Sequence, residues 1–188
     1  MSGKHVSEAI LPEFCPEKKL SALRDRIGRA VKDGIRRFRV TAPYALELLR
    51  KYEDVTITAS LSLPVCNSLA AAELAQYRVN RVQGHVELEK AALEALRDHS
   101  PLPVEIYRYG RPVLLVTRAK IAVSGEIRDS RGMKFHVVFD PDAGLTYLRP
   151  GPVVELPHLP GTYDFYDLSA ADRHEKTVST FNFDAEMI

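Results

Sequence analysis

The sequence predicts an α/β fold in which a parallel sheet is followed by a smaller antiparallel β region. Short strand-like segments alternate with amphipathic helices, giving about four successive βα units between Ile10 and Arg97. After Asp98 the helical periodicity stops, and short apolar segments are separated by Gly, Pro and Asp. Residues 1–100 are therefore predicted as βα units, residues 101–168 as a β-rich extension and residues 169–188 as a polar C-terminal tail.

Each element of the first region has a local sequence signal. Asn67 is predicted to cap a helix, because its side-chain oxygen can accept a hydrogen bond from an unpaired amide of the first turn. Pro43 suits the first turn of a helix, and Gly34 suits the position after the end of one. The predicted strands are Ile10–Phe14, Arg36–Thr41, Val55–Ser60 and Val79–Gly84. The predicted helices run from Pro16 to about Asp33, from Tyr44 to Tyr52, from Ser68 to Gln76 and through Leu88–Leu96.

The β-rich extension is predicted to begin with a hairpin. Val104–Tyr109 and Val113–Thr117 are strand-like, and Gly110–Pro112 lies between them as a turn. The further predicted strands are Met133–Phe139, Leu145–Leu148, Val153–Leu156 and Tyr163–Tyr166. A short helix is expected to begin at Ala170 in the polar tail.

The composition excludes several classes of protein. A net charge of +1 gives no indication of a surface that binds a polyanion. The contents of 45% hydrophobic and 27% charged residues are ordinary for a globular protein. Residues 1–19 lack the apolar core of a secretory signal, and no apolar run approaches the ~20 residues that span a bilayer. Cys15 and Cys66 lie far apart and have no C-x-x-C spacing, so neither a disulfide framework nor a zinc ribbon is predicted. A cytoplasmic protein without membrane contact is therefore expected.

One long stretch of the chain resembles the peptidase U32 family of collagenase-like proteases. The stretch is ITASLSLPVCNSLAAAELAQYRVNRVQGHVEL, with FRVT before it and PVEIYRYGRPVLLVTR after it. Its most specific parts are Asn67–Ala71 and Glu105–Arg111. The resemblance implies a β/α barrel, and this chain matches the later units of the family. The fold expected from the resemblance is a partial (half) TIM-type β/α barrel followed by a small antiparallel β region.

A half-barrel has two open strand edges, and each could pair with another chain. We therefore expect a homo-oligomer or a complex with a separate N-terminal half-barrel chain. The activity implied by the resemblance is hydrolysis of a peptide bond in a peptide or protein substrate. Relatives are also implied in hydroxylation of RNA bases or of quinone precursors, so an accessory subunit of such a reaction is the alternative, as is an inactive, truncated family member.

Glu87 and His85 are the predicted catalytic residues. They follow the strand Val79–Gly84, and catalytic groups of β/α barrels lie at the C-terminal ends of the strands. His85 can titrate near neutral pH, and Glu87 can act as an acid or a base. The alternative for Glu87 is purely structural, because a carboxylate in the first turn of a helix interacts favourably with the helix dipole. The resemblance favours a functional Glu87, since relatives often carry an acidic residue after this strand.

Arg39 and Asn67 are predicted to orient the substrate. An arginine directed into a barrel is costly unless it is paired or faces a ligand, although Arg39 could instead extend outward along apolar surface. Asn67 could bind substrate or only cap its helix. Arg108, Arg111 and Arg118, together with neighbouring tyrosines, form a basic and aromatic segment that suits substrate or RNA contact. A solvated hairpin face is the alternative for these arginines.

No metal site and no cofactor are expected. Some U32-like proteins carry an iron–sulfur cluster on four cysteines, whereas the matching positions here hold Val113 and, near the second, Ala119 and Lys120. The histidines show no ligand spacing, and no nucleophile elbow, P-loop or dinucleotide-binding turn occurs.

Overall fold

The computed structural model describes residues 8–119, 121–172, 174–176 and 178–184. Its helices are α1 Leu20–Lys32, α2 Pro43–Leu49, α3 Ser68–Ala75 and α4 Lys90–His99. Its first strands are β1 Ala9–Ile10, β2 Arg37–Val40, β3 Thr56–Ala59, β4 Arg81–Gln83, β5 Val104–Gly110 and β6 Leu115–Thr117. The later strands are β7 Gly125–Arg128, β8 Lys134–Asp140, β9 Leu145–Pro150, β10 Val153–Glu155, β11 Tyr163–Tyr166 and β12 Val178–Ser179. None of the helices in these residues has the length and apolarity to cross a membrane.

The predicted fold class is confirmed: a curled half-barrel of parallel strands is accompanied by a separate antiparallel sheet. Strands β1 to β5 are neighbours in chain order and all pair in parallel, with a helix in each connection. The second sheet has the order β6-β9-β8-β7 and is antiparallel throughout. Two local predictions are also met, because the Asn67 side chain accepts a 2.9 Å hydrogen bond from the Ala70 amide and Pro43 opens α2.

The two faces of the parallel sheet differ in chemistry. Alternate strand residues such as Phe38, Val40 and Ile57 face the helices and form the larger hydrophobic core. On the opposite, inner face, Arg39 of β2 reaches Glu105 of β5, with 2.7 Å between Nη1 and Oε1. In a flat sheet, strands three positions apart would be about 14 Å from each other, which exceeds the reach of an arginine side chain. The contact therefore requires the sheet to curl around its polar inner face.

The predicted hairpin of Val104–Tyr109 with Val113–Thr117 is wrong. Strand β5 pairs in parallel with β4 on one edge and with β11 on the other, while β10 pairs antiparallel with its last two residues. β4 and β10 each pair with a residue of β5 that also pairs with β11. Since a residue has one neighbour on each edge of its strand, β4 and β10 lie along the same edge of β5 and β11 lies along the other. Nearly all of β5 is buried, and it is held by strands that lie far away in the sequence. β6 instead pairs with β9 in the second sheet.

The C-terminal tail also differs from its prediction. The described residues from 169 onwards contain no helix at Ala170 and instead contribute β12, which pairs in parallel with β10. The other tail residues, 173, 177 and 185–188, lie outside the described part of the chain. Membership of a sheet does not decide a domain boundary, so the division at residues 100 and 168 stays a prediction. In the described residues β1 and β11 each have a single neighbouring strand, and their pairing with another chain also stays a prediction.

The C-terminal mouth of the half-barrel is partly filled by the chain itself. Leu61, Val86 and Tyr107 form a small buried cluster there, against which Leu114, Phe165 and Phe181 pack. Leu61 and Val86 follow β3 and β4, and Phe165 belongs to β11, so side chains from across the half-barrel meet over its inner face. The open space at this end of the sheet is therefore displaced towards the ends of β1 to β4.

Candidate functional site

A cleft of about 460 Å³ lies over the C-terminal ends of β1 to β4. In β/α barrels this is the end of the sheet that carries the active site. Residues that follow the parallel strands line one side, and β6 with its flanking residues lines the other. We call this space the β6 cleft; its lining residues are Glu13, Phe14, Thr41, Ala42, Pro43, Leu61, Ser62, Pro64, His85, Val113, Leu114, Leu115, Val116, Thr117, Arg118 and Leu145.

The wall formed by β6 presents a strand edge. Residues 113–118 line the cleft without interruption, whereas the face of a strand would contribute only every second residue. β6 pairs with β9 on its other edge, and no described strand pairs with the edge at the cleft. Backbone N–H and C=O groups on such an edge have no partner within the sheet and can bind an added strand.

His85 lies in the β6 cleft on the turn after β4, and the Glu87 side chain lies beside it. The Glu87 amide donates a long hydrogen bond of 3.4 Å to His85 Nδ1, and Glu87 Oε2 is 4.0 Å from the same nitrogen. Because Nδ1 accepts this bond, the neutral ring carries its proton on Nε2. The Glu87 side chain is 62% exposed and does not line the cleft. The two predicted catalytic residues are thus close together, with His85 inside and Glu87 at the rim.

The guanidinium of Arg118 also lines the β6 cleft. Its central carbon lies 4.7 Å from the centroid of the Phe14 ring, a cation–π geometry. Glu13 lines the same cleft and accepts a 3.4 Å hydrogen bond from the Tyr147 hydroxyl. Burial, with the nearby charge of Glu13, raises the pKa of Tyr147 to about 12. Tyr147 therefore stays a neutral hydrogen-bond donor to Glu13 at physiological pH.

Arg39 lies on the inner face of the sheet and does not line the cleft. Its side chain donates to both carboxylate oxygens of Glu105, at 2.7 and 3.1 Å, and to Glu8 at 3.1 Å. Gln83 also donates to Glu105, at 3.0 Å, and the Phe165 ring lies 4.1 Å from the guanidinium. Burial by itself would lower the pKa of Arg39, but the hydrogen bonds and charge of Glu105 raise it above the usual value. Arg39 is therefore a charged, fully paired group of the interior.

Of the predicted binding residues, Arg118 lines the cleft, whereas Asn67, Arg108 and Arg111, like Arg39, lie outside it. The exposed Asn67 caps α3. Arg108 has Nε 3.3 Å from a carboxylate oxygen of Asp164, and two of its nitrogens, Nε and Nη1, are buried without a hydrogen-bond partner among the described residues. Arg111 donates to the Gly151 carbonyl and forms a bidentate ion pair with Glu175. The hydrogen bond from Arg111 lowers the pKa of the Glu175 carboxyl.

Sequence reasoning missed Glu13, Phe14 and the edge of β6. The predicted first strand ends at Phe14, so the rule that sites follow strand ends would have identified Glu13 and Phe14. The edge of β6 gave no such signal, because the segment was assigned to a hairpin with β5. Within the described residues, no three His, Cys, Asp or Glu side chains converge to hold a metal ion. The expectation of no metal and no cofactor stays a prediction.

No protein-family model matches this sequence, and no curated protein matches it either. Among solved structures the chain is similar to that of the U32 peptidase Mk0906, with 16% sequence identity and a TM-score of 0.46. The similarity covers 55% of this chain and 45% of the other, so the chain spans less than half of the length of that structure. Similarity at this level does not establish membership of the family, and the relationship inferred from the sequence stays a prediction.

Proposed function

We propose that the protein binds an extended peptide or protein segment in the β6 cleft and hydrolyses a peptide bond of that segment. The observation that carries the proposal is the unpaired edge of β6 along one wall of the cleft. An extended peptide can complete the hydrogen bonds of such an edge through its own backbone, and alternate side chains then face the protein. A small molecule would leave most of this edge unused.

The chemistry is assigned to His85, which lines the cleft at the end of β4, and to Glu87, which lies at the rim of the cleft. The Nε2–H of neutral His85 donates to the carbonyl oxygen of the peptide and stabilises the negative charge that develops there. Glu87 accepts a proton from a water molecule, whose oxygen adds to the carbonyl carbon. The carbon–nitrogen bond then breaks, and the same proton passes from Glu87 to the leaving amine. Water is thus divided between the two products.

RNA contact has less support than peptide binding. Two of the three arginines predicted to contact RNA, Arg108 and Arg111, are directed at the acidic residues Asp164 and Glu175 of the same chain. Only Arg118 lines the cleft. Association with RNA stays a prediction from the sequence.

The binding step can be tested with short, unstructured, fluorescein-labelled peptides, using fluorescence anisotropy. N-methylation removes a backbone N–H, so methylating every second residue blocks one edge of an extended peptide while leaving its side chains unchanged. If β6 binds the peptide edge, one methylation register will lose at least about tenfold in affinity and the other will retain it. Equal affinity in both registers would contradict binding at a strand edge.

The hydrolytic step can be tested with Glu87→Gln and His85→Gln by mass spectrometry of the same peptides. Each variant is expected to lose cleavage by about 10²–10⁴-fold, the usual contribution of a positioned proton donor or acceptor, while peptide affinity is retained. Glu94→Gln is the matched control, because Glu94 lies on α4 outside the cleft and pairs with Lys90. Cleavage unchanged in Glu87→Gln would exclude the proposed base.

A further inference from the structure

The β6 cleft contains a cation that has no ion-pair partner among the described residues. Arg118 is exposed and lines the cleft, and no described carboxylate lies within ion-pair distance of its guanidinium. By contrast, the arginines of the sheet interior and of the β5 surroundings, such as Arg39 and Arg111, are directed at carboxylates. A charge that contributes no ion pair within the protein is a natural contact for a ligand.

Phe14 gives this guanidinium a defined orientation. The guanidinium carbon lies over the Phe14 ring, 4.7 Å from its centroid. A cation–π contact uses none of the N–H donors, so the planar guanidinium can still bind a carboxylate with two parallel hydrogen bonds. Arg118 is thus prepared for a planar anionic group.

The position of Arg118 relates it to the peptide. It directly follows Thr117, the last residue of β6, so a segment paired with β6 passes beside the guanidinium. The carboxylate that lines the cleft, Glu13, accepts a hydrogen bond from the Tyr147 hydroxyl and forms no ion pair with Arg118. The cleft lining therefore carries a positive group at Arg118 and a negative group at Glu13 that is not paired with it.

We propose that Arg118, held by Phe14, selects peptides that carry an aspartate or glutamate side chain at the position next to the end of β6. This inference rests on the proposed function, because it places the acidic side chain on a peptide bound along β6. Arg118 acts here as a specificity-determining residue and takes no part in proton transfer.

The test uses three labelled peptides that differ at one position, which carries Glu, Gln or Lys. Because a hydrogen-bonded charge pair is worth more than a neutral contact, the Glu peptide should bind at least about tenfold more tightly than the Gln peptide, and the Lys peptide most weakly. The preference for Glu should fall as salt is raised, since an exposed pair is screened. The varied residue is moved along the peptide one position at a time, and one of these positions should show the preference for Glu.

Arg118→Ala is expected to abolish the preference for Glu over Gln, so that the two peptides bind with equal affinity. Arg118→Lys keeps the charge without the planar fork and should retain part of the preference. Glu13→Gln, which removes the opposing charge, should strengthen binding of the Glu peptide. Equal binding of the three peptides at every position would overturn this inference and leave peptide binding intact. Failure of all three to bind would overturn the proposed function and this inference with it.

Discussion

Arg39 and Arg118 are chemically identical side chains, each with its guanidinium over a phenylalanine ring, that lie in opposite environments. Arg39 is 3% exposed and donates to Glu105 and Glu8 on the inner face of the parallel sheet. Arg118 is exposed in the β6 cleft and contacts Phe14. The interior arginine joins β2 to β5 and maintains the curl of the sheet, whereas the cleft arginine is available to a ligand.

The comparison shows why residue type and local sequence did not separate the two roles. Both arginines lie at or next to a short strand and were predicted to bind substrate. What distinguishes them is a partner distant in the chain, since Glu105 lies 66 positions after Arg39. A buried arginine is tolerated only with such a partner. The role of each arginine is therefore decided by the sheet topology.

The largest effect is expected when the partner of Arg39 is removed. Glu105→Ala leaves a buried guanidinium with only Glu8 as a charged partner, and should lower the free energy of unfolding by about 3–5 kcal/mol. Chemical denaturation followed by far-ultraviolet circular dichroism measures this change. A loss below about 1 kcal/mol would mean that the ion pair does not hold the curl of the sheet.

The double variant Arg39→Met with Glu105→Leu provides the control for this first prediction. It removes both charges and replaces them with apolar side chains of similar volume, so most of the lost stability should return. Glu126→Ala, which breaks an exposed pair with Lys134 in the second sheet, should leave the unfolding midpoint unchanged within error. If the double variant remained as unstable as Glu105→Ala, the network would stabilise the fold by more than the pairing of one buried charge.

A middle effect is expected at Arg108, which is partly buried and less well paired than Arg39. Its Nε and Nη1 atoms lack hydrogen-bond partners, so desolvation of this guanidinium is only partly compensated by Asp164. Arg108→Met keeps the apolar stem and removes the charge. The free energy of unfolding should change by no more than about 1 kcal/mol in either direction, measured by the same denaturation experiment. A loss as large as that of Glu105→Ala would mean that Asp164 satisfies this arginine as fully as Glu105 satisfies Arg39.

The sequence predicted the first half of the fold better than the second, for a physical reason. Strands β1 to β4 and their helices follow local signals such as the cap at Asn67, and each crossover pairs neighbours in the chain. Strand β5 pairs with β4 and, in addition, with β10 and β11, and no local pattern encodes these two distant pairings. Of the candidate site, His85 and Arg118 were predicted and line the cleft, but the β6 edge depends on the pairing with β9 and could not be read from its own residues.

The smallest effect on stability is expected at Arg118. Arg118→Ala removes an exposed side chain whose contact with Phe14 is a surface cation–π interaction, a type worth about 0.5–1 kcal/mol. The free energy of unfolding should therefore fall by less than about 1 kcal/mol, whereas Arg39→Ala in the same experiment leaves Glu105 buried and should lose about 3–5 kcal/mol. This difference separates an arginine that stabilises the fold from one that is available to bind. If Arg118→Ala destabilised the protein as strongly as Arg39→Ala, Arg118 would be a structural residue, and the selection of acidic peptides would lose its physical basis.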